Sequence, residues 1–177
     1  TLHGGINEIG GNKILVESSK AKIWLDFGLS FGKQALYYDE WSNPRKYNGI
    51  TDYFEMGLMP KIKGLYRHDY LKKSGINEHK LEFDALLLSH AHADHAGYLH
   101  FIRGDIPIYC FKETKILLGA IQETGTGISS DFVDMCEAFA FYTNRNKGIS
   151  KVTRAKKEYI SDRVFSLTEP EKIVEIG

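Results

Sequence analysis

Residues 90–95 of the stretch LLLSHAHADHAGYLH (86–100) hold three of the chain's seven histidines together with Asp94, directly after a run of leucines. Imidazole nitrogens and carboxylate oxygens are the usual ligands of a borderline cation such as zinc. His90 and His92 are two apart, and at the end of an extended strand such positions project to the same side, where two imidazoles can grip one ion. Asp94 and His95 follow where the chain turns toward a helix, so they reach a different point in space. One short loop can therefore serve two neighbouring metal ions. Ala91, Ala93 and Ala96 leave room, Gly97 permits close backbone packing, and a helical first turn favours the Asp94 carboxylate. A lone histidine in a loop is most simply a surface residue. Four ligand-type residues in the order HxHxDH, between a strand and a helix, are not.

The elements around the motif must hold it in place. FDALLLS (83–89) is a continuous apolar run, the pattern of a strand buried on both faces, and a helix is expected from about 95 to 103. IPIYC (106–110) reads as another buried strand. KETKILLGAIQE (112–123) has apolar residues at 116, 117, 120 and 121, a helical spacing, and GTG (125–127) ends it. A second helix is expected over 130–142, with Phe132, Met135, Cys136, Phe139 and Ala140 on one side. Nearer the start, 13–18 and 21–28 read as two strands joined by a turn at Ser19–Lys20. Residues 29–80 hold most of the tyrosines and show no sustained period. They form a long excursion with short helices near 50–58 and 65–74, and such an insertion often walls or covers a site. VFSL and KIVEI suggest two closing strands around Glu169–Pro170. Strands and helices alternate, so the class is α/β or mixed α+β.

SHAHADHAG resembles the HxHxDH signature of the metallo-β-lactamase superfamily, in its usual setting of strand, motif, helix. GGINEIGGNKILVES followed by IWLDFGLSFG is similar to the start of its ribonuclease J-like and cleavage-factor-like nucleases. The resemblance is specific over residues 3–32 and 84–104. It implies an αββα sandwich of two facing mixed sheets, of which this chain would supply the N-terminal half. It implies a first metal on His90 and His92, a second on Asp94 and His95, and Asp26 orienting the loop from behind. The two divalent ions would be zinc, with manganese as the alternative. They would activate a shared water, and Asp94 and His95 would take part in catalysis. The superfamily pattern also needs a later histidine, a bridging aspartate and a last histidine. No histidine follows His100, and Asp131, Asp134 and Asp162 lie outside the expected strand-end context. The chain starts at Thr1 without a methionine and stops within a strand-like pattern. The expectation is one partial domain over 1–177, truncated at both ends, with half of a dinuclear site.

Composition narrows the rest. Lys+Arg and Asp+Glu both number 23, so no global charge recruits nucleic acid. Two cysteines without a CxxC pair fit a reducing cytoplasm, and both sit in apolar patterns as inert thiols. No apolar run suits a membrane span. GGINEIGGNK lacks the GK[ST] ending of a nucleotide P-loop. The basic stretch 145–163 could meet phosphates, though a solvated helix face is the plainer reading, and Tyr66, Arg67 and His68 are weaker candidates for substrate contact. The leading function is a metal-dependent phosphodiesterase acting on RNA in the cytoplasm. The alternatives are a hydrolase of a thioester, lactone or small ester on the same fold, or a non-catalytic metal-binding module. Oligomeric state stays open, a homo-oligomer among the options.

Overall fold

The computed structural model describes residues 1–38, 42, 44–45, 48–125, 131–143, 150–154 and 159–168. In chain order the elements are β1 (Leu2–Gly4), β2 (Lys13–Glu17), β3 (Lys22–Leu25), α1 (Phe31–Ala35), α2 (Thr51–Glu55), α3 (His68–Lys73), β4 (Ala85–Leu87) and α4 (Ala93–Ala96). A 3-10 turn (Leu99–Phe101) follows, then β5 (Ile108–Phe111), α5 (Lys112–Thr124), β6 (Asp134–Cys136), β7 (Phe139–Thr143), β8 (Ser150–Arg154), β9 (Tyr159–Asp162) and β10 (Phe165–Thr168). This is the mixed α/β class expected from the sequence. None of the described helices is long and apolar enough to cross a membrane.

The main sheet has six strands in the order β1-β2-β3-β4-β5-β10. β1, β2 and β3 pair antiparallel, and β3, β4, β5 and β10 pair parallel. Ser18 closes the β2–β3 turn, its hydroxyl accepting from the N–H groups of Lys20 and Ala21. The register runs two rows across the sheet, one for each face. Leu15, Trp24, Leu86, Ile108 and Phe165 are successive partners on one face, and the first four are buried. Ile14, Leu25, Leu87, Tyr109 and Ser166 are successive partners on the other.

That second face corrects one expectation. β4 and β5 are not buried on both sides, because Leu87 and Tyr109 are each 41% exposed. α5 is the helix that the spacing over 112–123 predicts, but the apolar residues of that spacing are not the ones it buries. Ile116, Leu117 and Ile121 are exposed, Ala120 with them, and Thr114 and Leu118 are the residues it buries.

The insertion is integral to the core rather than a lid. Ile50, Leu65 and Tyr66 are fully enclosed with Trp24 and Phe27. Edge-on ring contacts link Tyr53 and Tyr70 to Phe101, at 4.6 and 4.8 Å between centroids. Its helices α2 and α3 stop by the same device. Gly57 and Gly75 take positive φ one residue past each cap. The N–H of Leu58 then reaches back to Tyr53 O, and that of Ile76 to Leu71 O, each at 2.9 Å. These are Schellman stops, which need glycine at the left-handed position.

Residues 130–142 are not the expected helix. Their described part forms β6 and β7, which pair with β9 and β8. The spacing of Phe132, Met135, Cys136 and Phe139 fits a helix. Distant partners and an aromatic FAFYT run decide for strand. Part of 145–163 is likewise strand, and its Arg163 is buried. Residues 126–130, 144–149, 155–158 and 169–177 lie outside the described residues, and with them most of GTG, part of the basic stretch and the KIVEI strand. Arg163 donates to Asp131 O, Ile102 O and Leu99 O. Arg67 is also buried and grips Asp69 through two nitrogens, at 3.1 and 2.9 Å, and Asp131 at 2.7 Å. Tyr66 and Arg67 therefore tie the insertion to the core and are not open to substrate. His68 is exposed and pairs with Glu78 at 2.7 Å.

Removing one member of a buried charge network strands the others without water. Asp69→Ala is expected to destabilise the fold by about 3–5 kcal/mol in chemical denaturation. Glu78→Ala, which removes an exposed carboxylate paired with His68 and Arg103, is expected to change stability by less than about 1 kcal/mol.

Candidate metal centre

β4 ends at Leu87, and a five-residue loop holding Ser89, His90 and His92 leads into α4, with His92 in an extended conformation just before the helix. α4 has only four residues, so its dipole adds little at Asp94. The loop is held by backbone hydrogen bonds from two other segments. After β3, Asp26 N–H donates to Leu87 O at 2.9 Å, Phe27 N–H to His95 O at 2.8 Å and Leu29 N–H to Ala93 O at 2.8 Å. From the glycine-rich start, Asn12 N–H donates to Asp94 O at 3.2 Å, and Asn12 O accepts from Gly28 N–H at 2.9 Å.

This close approach explains the glycines. A Cβ on Gly28 would overlap the carbonyl of Asp94. A Cβ on Gly10 would lie 2.6 Å from Asp94 Cβ, and Gly10 also sits at φ +80°. Any side chain at either position would push the aspartate out of place.

The side chains converge behind the loop on Asp26. This residue adopts φ 55°, a left-handed conformation that aspartate tolerates better than most non-glycine residues. Its carboxylate accepts from Ser89 N–H at 2.8 Å and from Ser89 Oγ at 2.9 Å. It also lies 2.7 Å from His95 Nδ1. With the Nδ1 proton donated to Asp26, His95 Nε2 keeps its lone pair for a cation.

His90, Asp94 and His95 each offer a ligand atom, and these atoms all lie within 4.8 Å of one another. The His90 and His95 rings are 4.1 Å apart between centroids. His92 is exposed at the rim, its ring 4.7 Å from that of His90. The sequence divided the four residues into two pairs, and the structure draws three of them together with the fourth alongside. Two imidazoles and a carboxylate, partly shielded and backed by a hydrogen-bonded carboxylate, suit a divalent transition ion. His100 is apart from this group. It is enclosed beside Phe101, Nδ1 lies 3.0 Å from Gly97 O, and burial pushes its pKa down to about 3.

Two residues at the site were not singled out from the sequence. Ser89 lies within hydrogen-bond reach of Asp26, His90 and His95. Its place before the first histidine was the available signal. Asn12 brings Nδ2 to 3.4 and 3.3 Å from the two ring nitrogens of His95. Nothing local marked it, because the contact spans 83 positions.

Lys13 supports the glycine-rich segment from beneath. Its ammonium is buried, donates to Gly11 O at 3.2 Å and lies 5.0 Å from the Tyr98 ring centroid. Burial pulls its pKa down from 10.5 to about 7.

No protein-family profile matches the chain. By sequence it is similar to a transcription termination factor FttA from a Lokiarchaeum species, at 27% identity over 139 residues. That alignment covers 76% of this chain and 15% of the relative. It is also similar to ribonuclease J of Helicobacter pylori, at 28% identity over 120 residues, covering 67% of this chain and 13% of the relative. In three dimensions it resembles a crystal structure of a protein of unknown function from Enterococcus faecalis. The TM-score is 0.55 and the identity 32%, over 74% of this chain and 29% of that one. The chain thus spans under a fifth of the length of the curated relatives it matches. At this distance the similarities support the superfamily resemblance and nothing finer.

Two measurements check this geometry. If the loop holds a divalent ion, Asp26→Asn should weaken its binding about 10–100-fold in calorimetric titration, because the carboxylate behind His95 is lost. Between pH 7 and about 10 the unfolded chain holds a proton on Lys13 that the folded chain has released, so stability should rise with pH across that window. Lys13→Met should flatten the rise, measured by denaturation at a series of pH values.

Proposed function

We propose that this chain is part of a metallo-β-lactamase-type hydrolase that cleaves phosphodiester bonds of RNA with a metal-activated water. The observation that carries the reading is the meeting of His90, Asp94 and His95 in front of Asp26, within 4.8 Å of one another. Ribonuclease J among the similar proteins supports RNA as the substrate class.

His90, His92, Asp94 and His95 would hold two divalent ions, zinc or manganese. When bound, such ions lower the pKa of a water and stabilise charge on a phosphoryl oxygen. Asp26 keeps His95 in the tautomer that presents Nε2, and Ser89 fixes the carboxylate of Asp26. Asp94 accepts a hydrogen bond from the attacking water and so aims it at phosphorus.

The exposure of Leu87 and Tyr109 on this sheet face, among the described residues, supports the partial-domain reading. Leu87 and Tyr109 form an apolar row there with Ile14 and Leu25, and such a row is ordinarily covered. In this reading a second sheet packs on it and carries the remaining metal ligands.

The test is cleavage of an end-labelled RNA by the full-length protein with added zinc or manganese. Cleavage is expected in the wild type, with a loss of about 10²-fold or more in Asp94→Asn. Cleavage of thioesters or lactones but not RNA would contradict the proposal.

A further inference from the structure

The insertion builds a cavity of its own. It encloses about 430 Å³, and every residue lining it lies between positions 51 and 79. That volume is in the range of small-ligand sites. It shares no residue with the metal loop.

One wall is apolar and rigidly made. Phe54 and Leu71 are buried, and the Schellman stop of α3 fixes Ile76 against Leu71. Gly64 stands at φ +72°, where a Cβ would strike Lys80 O, so the returning chain closes tightly over the cavity. The rim is polar. Lys61 is neutralised by Glu55 at 2.8 Å. Among the described residues Lys63 has no ion pair, and the side chains of Asn77 and His79 have no hydrogen-bond partner. The cavity therefore pairs an apolar wall with an exposed ammonium that has no ion pair, an imidazole and an amide that can both donate and accept.

A nucleotide matches this arrangement: an aromatic base, a hydrogen-bonding edge and an anionic phosphate. We infer that the cavity binds one nucleotide of an RNA strand, its base against Phe54 and Ile76, its base edge at Asn77 and its phosphate at Lys63 and His79. The inference rests on the RNA reading above and adds an anchoring point outside the metal loop.

The test uses full-length protein carrying Asp94→Asn, so that RNA stays intact, and a fluorescent single-stranded 12-mer. Lys63→Glu and Ile76→Asp alter exposed side chains, and unchanged thermal melts would establish that they fold. Each is expected to weaken binding about tenfold. Lys63→Glu should also lower the slope of log affinity against log salt by about 0.7, the signature of one lost phosphate contact. Crosslinks from 4-thiouridine should fall within 51–79. Unchanged affinity and slope, with crosslinks elsewhere, would overturn the pocket while wild-type cleavage still upheld the nuclease reading. AMP bound in the cavity of a protein that neither binds nor cleaves RNA would also overturn it, in favour of a free nucleotide.

Discussion

Asp26 stands at the end of β3 with its backbone in a left-handed turn. Its N–H joins the end of β4, and its carboxylate reaches Ser89 and His95. One residue thus sets both the path of the histidine loop and the orientation of one of its rings. The neighbouring bonds from Phe27, Leu29 and Asn12 complete a clasp around α4. The clasp works only because Gly10 and Gly28 leave no Cβ between the segments. The glycine-rich start and the LDFG stretch are therefore parts of one construction with the histidine motif.

The clasp needs a firm base. Phe27, directly after Asp26, packs edge-on against Trp24 at 5.4 Å and against Tyr66 at 6.2 Å. The insertion is in turn fastened to the segment after α4, where Arg67 N–H donates to Phe101 O and Arg103 N–H to Leu65 O. Buried Arg67 and Arg163 extend the attachment to Asp131 and to the strand region beyond it. Such networks are costly to bury and costly to break, which suits them to fixing one arrangement of neighbouring segments.

The sequence made the local part of this legible. Residue types and spacing marked the histidine loop, and the two opening strands carried clear β-branched and aromatic patterns. Asp26 could be named only through resemblance, since its contact with His95 spans 69 positions. The failures share a cause. Phe132, Met135, Cys136 and Phe139 match a helical period, yet β6 and β7 are decided by pairing with β9 and β8. The helix over 112–123 was legible in its spacing, and only the side it buries, at Thr114 and Leu118, was not. Arg163 looked like one more surface cation in a basic run, and burial among backbone carbonyls is invisible in composition.

The account depends on the loop being a metal site. The most direct measurement is anomalous scattering above and below the zinc absorption edge from crystals of the full-length protein grown with zinc. Zinc within bonding distance of the loop's ligands, one ion at His90 and His92 and one at Asp94 and His95, is the predicted result. A zinc-saturated crystal with no peak at those residues, or with zinc only at other sites, would contradict it.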